Sequence, residues 1–140
     1  MSINFYKEDF SGRIIDKKRR KTWIKFTVKQ ENFQCGDLSF IFCSDDYLLK
    51  INKQYLDHDY YTDIITFNYV EGKLVSGDIF ISIDRVRENA RQFRVSFENE
   101  LNRVIIHGVL HLIGFDDKDE SLQQVMRKKE NEYLEEFSKF

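Results

Sequence analysis

Two of the three histidines in this 140-residue chain stand four apart, at His107 and His111, within HGVLHLIGFDD, residues 107–117. At that spacing on a helix the two side chains lie one above the other on one face, so their imidazoles can converge on a point. Gly114 follows where a helix commonly ends in the left-handed conformation that glycine adopts without penalty. The turn it permits can swing Asp116 or Asp117 back toward the histidines. Three N/O ligands with a fourth position open form the plan of a catalytic metal centre, zinc first, and not of a closed structural one. An i, i+4 histidine pair can also be nothing more than the solvated edge of a helix. The glycine and aspartates at loop-return spacing favour the metal.

The helix that must carry the pair is legible in its apolar positions. Leu101, Val104, Ile105, Gly108, Val109 and Leu112 fall at i, i+3, i+4, i+7, i+8 and i+11, a core-facing stripe over 96–113. Ser96 can cap its N-terminus, and Glu98 and Glu100 suit the positive end of the helix dipole. Upstream, residues 3–7 read as a strand and 16–32 as a helix with Ile15, Trp23, Phe26 and Val28 among its apolar positions. LSFIFCS (38–44) has the near-continuous apolar character of a strand covered on both faces. Asp45 and Asp46 can start a short helix through Leu49, Ile51 and Tyr55. DIITFNYV (63–70) and DIFISID (78–84) read as neighbouring strands joined by EGKLVSG in a hairpin-like connection. Helices from Ile83 to about 93 and from about 120 to the C-terminus complete an α+β plan. It places one domain over 1–140, a mixed sheet of about four strands packed with about five helices, and the metal site on a helix and its exit loop.

The balance of charge narrows the partners. With 24 acidic and 22 basic residues the net charge is -2, which excludes the strongly basic character of a protein that coats nucleic acid nonspecifically. Contact with nucleic acid must then come from a local patch. KKRRK (17–21) is the densest basic run, and Arg85, Arg87, Arg91, Arg94 and Arg103 add positive charge near the histidine helix. Neither a signal-peptide pattern nor an apolar run of membrane-spanning length is present, so a soluble intracellular protein without membrane contact is expected. Cys35 and Cys43 do not form C-x-x-C and read as reduced, buried thiols.

The spacing H-x-x-x-H-x-x-G-x-x-D shares its geometry with the metzincin proteases, H-E-x-x-H-x-x-G-x-x-H. Gly108 stands where those enzymes carry the glutamate base, so a peptidase lacks its central residue. The segment resembles more closely the YbeY family of metal-dependent endoribonucleases, whose signature reads H-G-x-L-H-L-x-G-[YF]-D-H. Here HGVLHLIGFDD departs at the last position alone. INKQYLDHDYYTDIITF is similar to the family's N-x-x-Y-R-x-x-D-x-P-T-D-V-L-S-F block, and GDIFIS to its G-D-I-x-I strand. Order and spacing agree over roughly residues 38–135.

The resemblance implies a single-strand-specific endoribonuclease of the cytoplasm, acting in rRNA maturation (16S rRNA 3′ end processing) and ribosome quality control. Its partners would be rRNA and a ribosomal subunit or its proteins, with no DNA. It implies one zinc ion per chain, held by His107, His111 and, in place of the family's third histidine, Asp117. Aspartate is an accepted zinc ligand, but its charge makes the centre a weaker acidifier of water and more tolerant of other metals. Asp116 can orient a histidine or take a proton, though its simplest role is to cap the turn. The family's active-site arginine corresponds to Leu56, which cannot hold a phosphate. Tyr61 likewise replaces the proline of that block. His58 or Lys53 could supply the missing cation, and the candidate catalytic set is His107, His111, Asp116 and His58. Two other readings stay open: a noncatalytic metal-containing factor that binds ribosomes or RNA, favoured by the lost arginine, and an iron oxygenase, since two histidines and a carboxylate form the facial-triad set. Ligands on one helix and its exit loop count against the oxygenase.

Overall fold

Alternation of apolar and polar residues in the strands, and three-to-four spacing in the helices, sorts the described residues into nine elements. The computed structural model describes residues 2–10, 12–14 and 16–140, so Ile15 of the expected first helix lies outside the described residues. In chain order the elements are β1 (Ile3–Lys7), α1 (Lys17–Gln30), β2 (Gln34–Cys43), α2 (Asp45–Leu56), β3 (Ile64–Asn68), β4 (Leu74–Ser82), α3 (Ile83–Phe93), α4 (Phe97–Ile113) and α5 (Glu120–Phe137). The strands form one mixed sheet in the order β1-β2-β4-β3, with β1, β2 and β4 parallel and β3 antiparallel to β4. The α+β plan with four strands and five helices is therefore the observed one.

Two strands begin earlier than their apolar runs suggest. β2 starts at Gln34, and its pairing with β4 shifts register between Cys35 and Leu38. Gly36 makes that bulge possible, because a Cβ there would lie 2.3 Å from Ser76 Oγ and 2.9 Å from the Val75 carbonyl oxygen. β4 starts at Leu74, inside the expected connection, and the turn shrinks to Gly72 at φ 57° within the Glu71–Leu74 bridge. Gln34 and Asp37 hid the start of β2, which backbone pairing defines, while Ser76 and Gly77 separate Leu74 and Val75 from the apolar run that marks the rest of β4.

One face of the sheet carries the main core. Leu38, Phe40 and Phe42 of β2 and Val75, Ile79 and Ile81 of β4 pack there with Trp23, Ile24 and Val28 of α1 and the apolar side of α4. Trp23 is fully buried and satisfies its indole by donating to the Tyr133 carbonyl at 2.7 Å, which ties α1 to α5. α2 covers part of the other face through Leu48, against Cys43 and Ile65. Ser39 and Ile41 remain half-buried, so β2 is not fully covered on both faces as its composition suggests. Cys35 and Cys43 are free thiols, half-buried and buried respectively, and burial pushes the Cys43 thiol up to about 12. Among the described residues, no helix is long and apolar enough to cross a membrane.

Candidate metal centre

α4 runs through the core, and every member of its expected stripe is buried, together with Ile106 and Leu110. The side that reaches solvent is the line Asn99, Arg103, His107, His111, at four-residue intervals. Gly108 lets the helix lie this close to the sheet: a Cβ there would sit 2.8 Å from Ile64 Cδ1 and 3.1 Å from Ile79 Cγ2. A glutamate beside His107 has no room. The absence of a protease-type base is thus a packing requirement as well as a choice of chemistry.

The two imidazoles stand with ring centroids 4.8 Å apart and planes at 75°. Ser96 caps the start of α4 by accepting from the Asn99 N–H. Gly114 ends the helix at φ 123°, and the N–H groups of Gly114 and Phe115 close onto the Leu110 carbonyl. The loop then returns Asp117 to the histidines, with Oδ2 at 3.4 Å from His107 Nε2 and Oδ1 at 3.4 Å from His111 Nε2. Gln123 of α5 holds this loop by donating to the Asp117 carbonyl at 3.0 Å. One donor atom from each of the three residues lies within 4.8 Å of the others. Zinc bonds of about 2.0–2.2 Å in a tetrahedron separate neighbouring ligand atoms by roughly 3.3–3.5 Å. The two N···O contacts are of that size, each made by a different oxygen of the Asp117 carboxylate, so the carboxylate bridges the two imidazoles and the three residues could hold a small cation.

The orientation of His107 comes from another helix. Its Nδ1–H donates to Glu130 Oε2 at 2.7 Å, while Arg103 Nη1 donates to Glu130 Oε1 at 2.9 Å. Arg127 approaches the same oxygen at 3.5 Å, and Arg103 Nη2 donates to Asn131 Oδ1 at 2.9 Å. With Nδ1 carrying the proton, Nε2 offers its lone pair toward Asp117. Burial alone would push the His107 imidazole down; the hydrogen bond and charge of Glu130, with Asp117 and Asp63, carry it above its ordinary value. Burial would likewise raise Glu130, but the hydrogen bonds from His107 and Arg103 hold it below the usual carboxylate range.

Sequence reasoning missed Glu130 among the many glutamates of α5. The signal was positional: Met126, Glu130 and Tyr133 are the buried residues of that helix, at i, i+4 and i+7. A carboxylate on a core stripe needs a partner inside. Asp63 was also missed. It lies just before β3 and, with His107, Asp117, Glu100, Phe93 and Arg127, lines a cleft of about 940 Å³ between α3, α4 and α5. Burial raises the carboxyls of both Asp63 and Glu100.

The other expected site residues are placed differently. Asp116 turns its Oδ1 to the Asp117 N–H at 2.7 Å, with Lys118 at 3.7 Å from Oδ2, which braces the loop. His58 is exposed in the loop after α2, stacked on Tyr60 with centroids 5.1 Å apart. Lys53 pairs with Asp59 at 3.2 Å, and Leu56 ends α2 at 40% exposure. None of these four lies in the donor cluster. Several arginines near the helix are engaged within the protein: Arg85 with Asp45, Arg91 with Glu88, and Arg103 with Glu130.

The family model described as Endoribonuclease YbeY matches residues 5–138. A Parabacteroides distasonis protein named Endoribonuclease YbeY is 49% identical over 134 residues, covering 96% of this chain and 94% of its own length. One from Flavobacterium psychrophilum, with the same name, is 52% identical over 115 residues and 82% of each chain. The solution structure of a Thermotoga maritima protein superposes with a TM-score of 0.69 at 32% identity, covering 97% of this chain and 89% of that one. Buried core, helix-borne histidines and returning loop thus come with matching sequence along almost the whole chain, and the chain belongs to the YbeY endoribonuclease family.

Proposed function

We propose that this protein is a zinc-dependent, single-strand-specific endoribonuclease that acts in rRNA maturation, including 16S rRNA 3′ end processing, and in ribosome quality control. Its working place is the cytoplasm, on rRNA and a ribosomal subunit or its proteins. The observation that carries the reading is the convergence of His107, His111 and the Asp117 carboxylate, one donor atom from each lying within 4.8 Å of the others. A divalent ion held by these three supplies Lewis acidity toward a phosphodiester and makes water a better nucleophile.

The chain's own residues supply the rest. Glu130 fixes the His107 ring, and Arg103 fixes Glu130. Asp63 holds a carboxyl that burial keeps more readily protonated than usual on the same cleft, a suitable store for the proton a leaving oxygen needs. Phe93, 59% exposed on the rim, offers a flat apolar ring to an unstacked base, and the amides of Asn89, Gln123, Gln124 and Asn131 offer hydrogen bonds to base edges. Such groups serve a splayed single strand better than a duplex, whose bases are already stacked and paired.

Metal analysis of protein purified without added metal, followed by cleavage assays of single-stranded and duplex RNA with and without chelator, tests the reading. One zinc per chain and chelator-sensitive cleavage of the single strand are expected, with both lost in His107→Ala and His111→Ala. A noncatalytic RNA-binding factor is the second reading, favoured by Leu56 and by the engagement of Arg103 with Glu130 and Asn131. It predicts retained metal and bound RNA without cleavage.

A further inference from the structure

The basic run of residues 17–21 does not act as a unit once α1 is folded. Arg20 points into the protein at 1% exposure, where its Nε donates to Asn102 Oδ1 at 3.0 Å and its guanidinium pairs with Glu98. Arg19 lies over the Phe137 ring, 3.9 Å from its centroid, and donates to the Phe137 carbonyl. Two of the five cations are therefore committed to holding α1 against α4 and α5.

The outer face of α1 carries a different set. Lys18, Lys25 and Lys29 are exposed, and at about 100° per residue they fall within about 40° of one another around the helix. Lys21 flanks them, half-buried. At about 1.5 Å per residue the strip runs roughly 16 Å. Among the described residues none of the four forms an ion pair, and Glu31 at the end of the helix is taken by Lys129 and Tyr133. Charges strung at intervals of about 6–10 Å along a line suit a repeating anion rather than a single one.

The cleft gives the strip a purpose. Asp63, Glu100, Asp117, Glu120, Glu130, Glu132 and Glu135 line it against the cations Arg103, Arg127 and Lys128, so carboxylates outnumber cations there and its side chains give little net attraction for a polyanion. Arg103 and Arg127, which line it, both pair with Glu130. A lipid surface is a poorer fit, because the apolar side of α1, with Trp23, Ile24 and Val28, is buried in the core and cannot enter a bilayer.

We infer that the outer face of α1 is a docking strip for the phosphate backbone of RNA, formed by Lys18, Lys25 and Lys29 with Lys21 beside them. This rests on the endoribonuclease reading and adds where the body of the RNA is held, away from the metal centre. The strip captures RNA by charge, and the cleft selects an unpaired segment by stacking and hydrogen bonding.

The test is fluorescence anisotropy with a labelled single-stranded RNA oligonucleotide, read before cleavage accumulates, at salt from 50 to 200 mM. It compares the wild type, Lys18→Gln/Lys25→Gln/Lys29→Gln, the same three positions changed to arginine, and a control with Lys7→Gln/Lys50→Gln/Lys139→Gln. Three lost phosphate contacts reduce the salt slope by about 2, so wild-type affinity should fall about 20-fold more than that of the strip variant over this salt range. The arginine variant and the charge-matched control should keep the wild-type slope, and all four proteins should retain their metal and circular dichroism. If the strip variant binds like wild type, the inference is overturned and the endoribonuclease reading stands. Equal losses in strip and control variants overturn it too, since overall charge then explains binding. Wild type that binds no RNA overturns both readings. Tighter strip-dependent binding to phosphatidylserine vesicles than to RNA would assign the surface to lipid instead.

Discussion

Replacing Glu130 probes whether the metal centre is built by α4 alone or needs α5 behind it. Glu130 is 4% exposed, and its two oxygens serve two donors, His107 Nδ1 at 2.7 Å and Arg103 Nη1 at 2.9 Å. Alanine strands both donors in a half-buried place, and removing one partner of a buried charged pair costs about 3–5 kcal/mol. Against a total stability of about 5–15 kcal/mol, that leaves the fold marginal, and a metal measurement on it says little. Glutamine separates the effects. It keeps the shape but has one acceptor oxygen where glutamate has two, so either His107 or Arg103 must face an NH2 group, at about 1–3 kcal/mol. If the oxygen stays with Arg103, the His107 ring loses what holds its tautomer. Loss of such a supporting contact costs 10- to 100-fold in metal affinity. The assay is zinc competition against a chromogenic chelator, with thermal unfolding of the chelator-treated protein in parallel. We expect Glu130→Gln to weaken zinc binding at least 10-fold while the protein stays folded. A folded Glu130→Gln protein that holds zinc within twofold of wild type would refute the argument, because His107 would then be oriented by α4 itself.

Gly108→Ala gains about 1 kcal/mol of helix propensity but forces a methyl against Ile64 and Ile79, an overpacking cost of about 1–3 kcal/mol. Denaturant unfolding should show a net loss on the order of 1 kcal/mol, and a more stable variant would mean α4 can shift outward. Glu100 is buried with its carboxyl raised above the ordinary 4.5, so its ionised form opposes folding. That penalty is absent below the unfolded value and develops as pH rises through the folded one; Glu100→Gln should stabilise the protein at pH 7 and not at pH 4, and equal gains at both would contradict the cause assigned. Leu56 is 40% exposed, so Leu56→Arg should change stability by no more than about 0.5 kcal/mol. If cleavage lacks a cation there, single-turnover rates should rise on the order of 10- to 1000-fold, whereas an unchanged rate excludes a contribution from that position. Asp117→His should keep zinc and, by removing a charge beside the metal, move the pH optimum of cleavage down. Asp117→Ala should lose zinc, and an unchanged pH profile and metal content in both would point to another third ligand.

What the sequence could determine alone was local. The apolar stripe of α4, the four-residue spacing of His107 and His111, and Gly114 with the aspartates after it all act within one or two helical turns, and the structure brings His107, His111 and Asp117 together as that spacing implies. Periodicity and turn chemistry depend on near neighbours, so they are written in the order of residues. Glu130 stands 23 positions beyond His107, and nothing local joins them; only the packing of α5 on α4 brings its carboxylate to Nδ1. Asp63 reaches the same cleft from the far edge of the sheet. The start of β2 was hidden because backbone pairing with β4 holds Gln34 and Cys35, whatever their side chains bury. Charge followed the same division: the run at 17–21 could be counted, but burial of one helix face took Arg19 and Arg20 inward and left Lys18, Lys25 and Lys29 outside. A charge becomes a surface or a bond according to which side of its helix the core occupies, and tertiary packing decides that side.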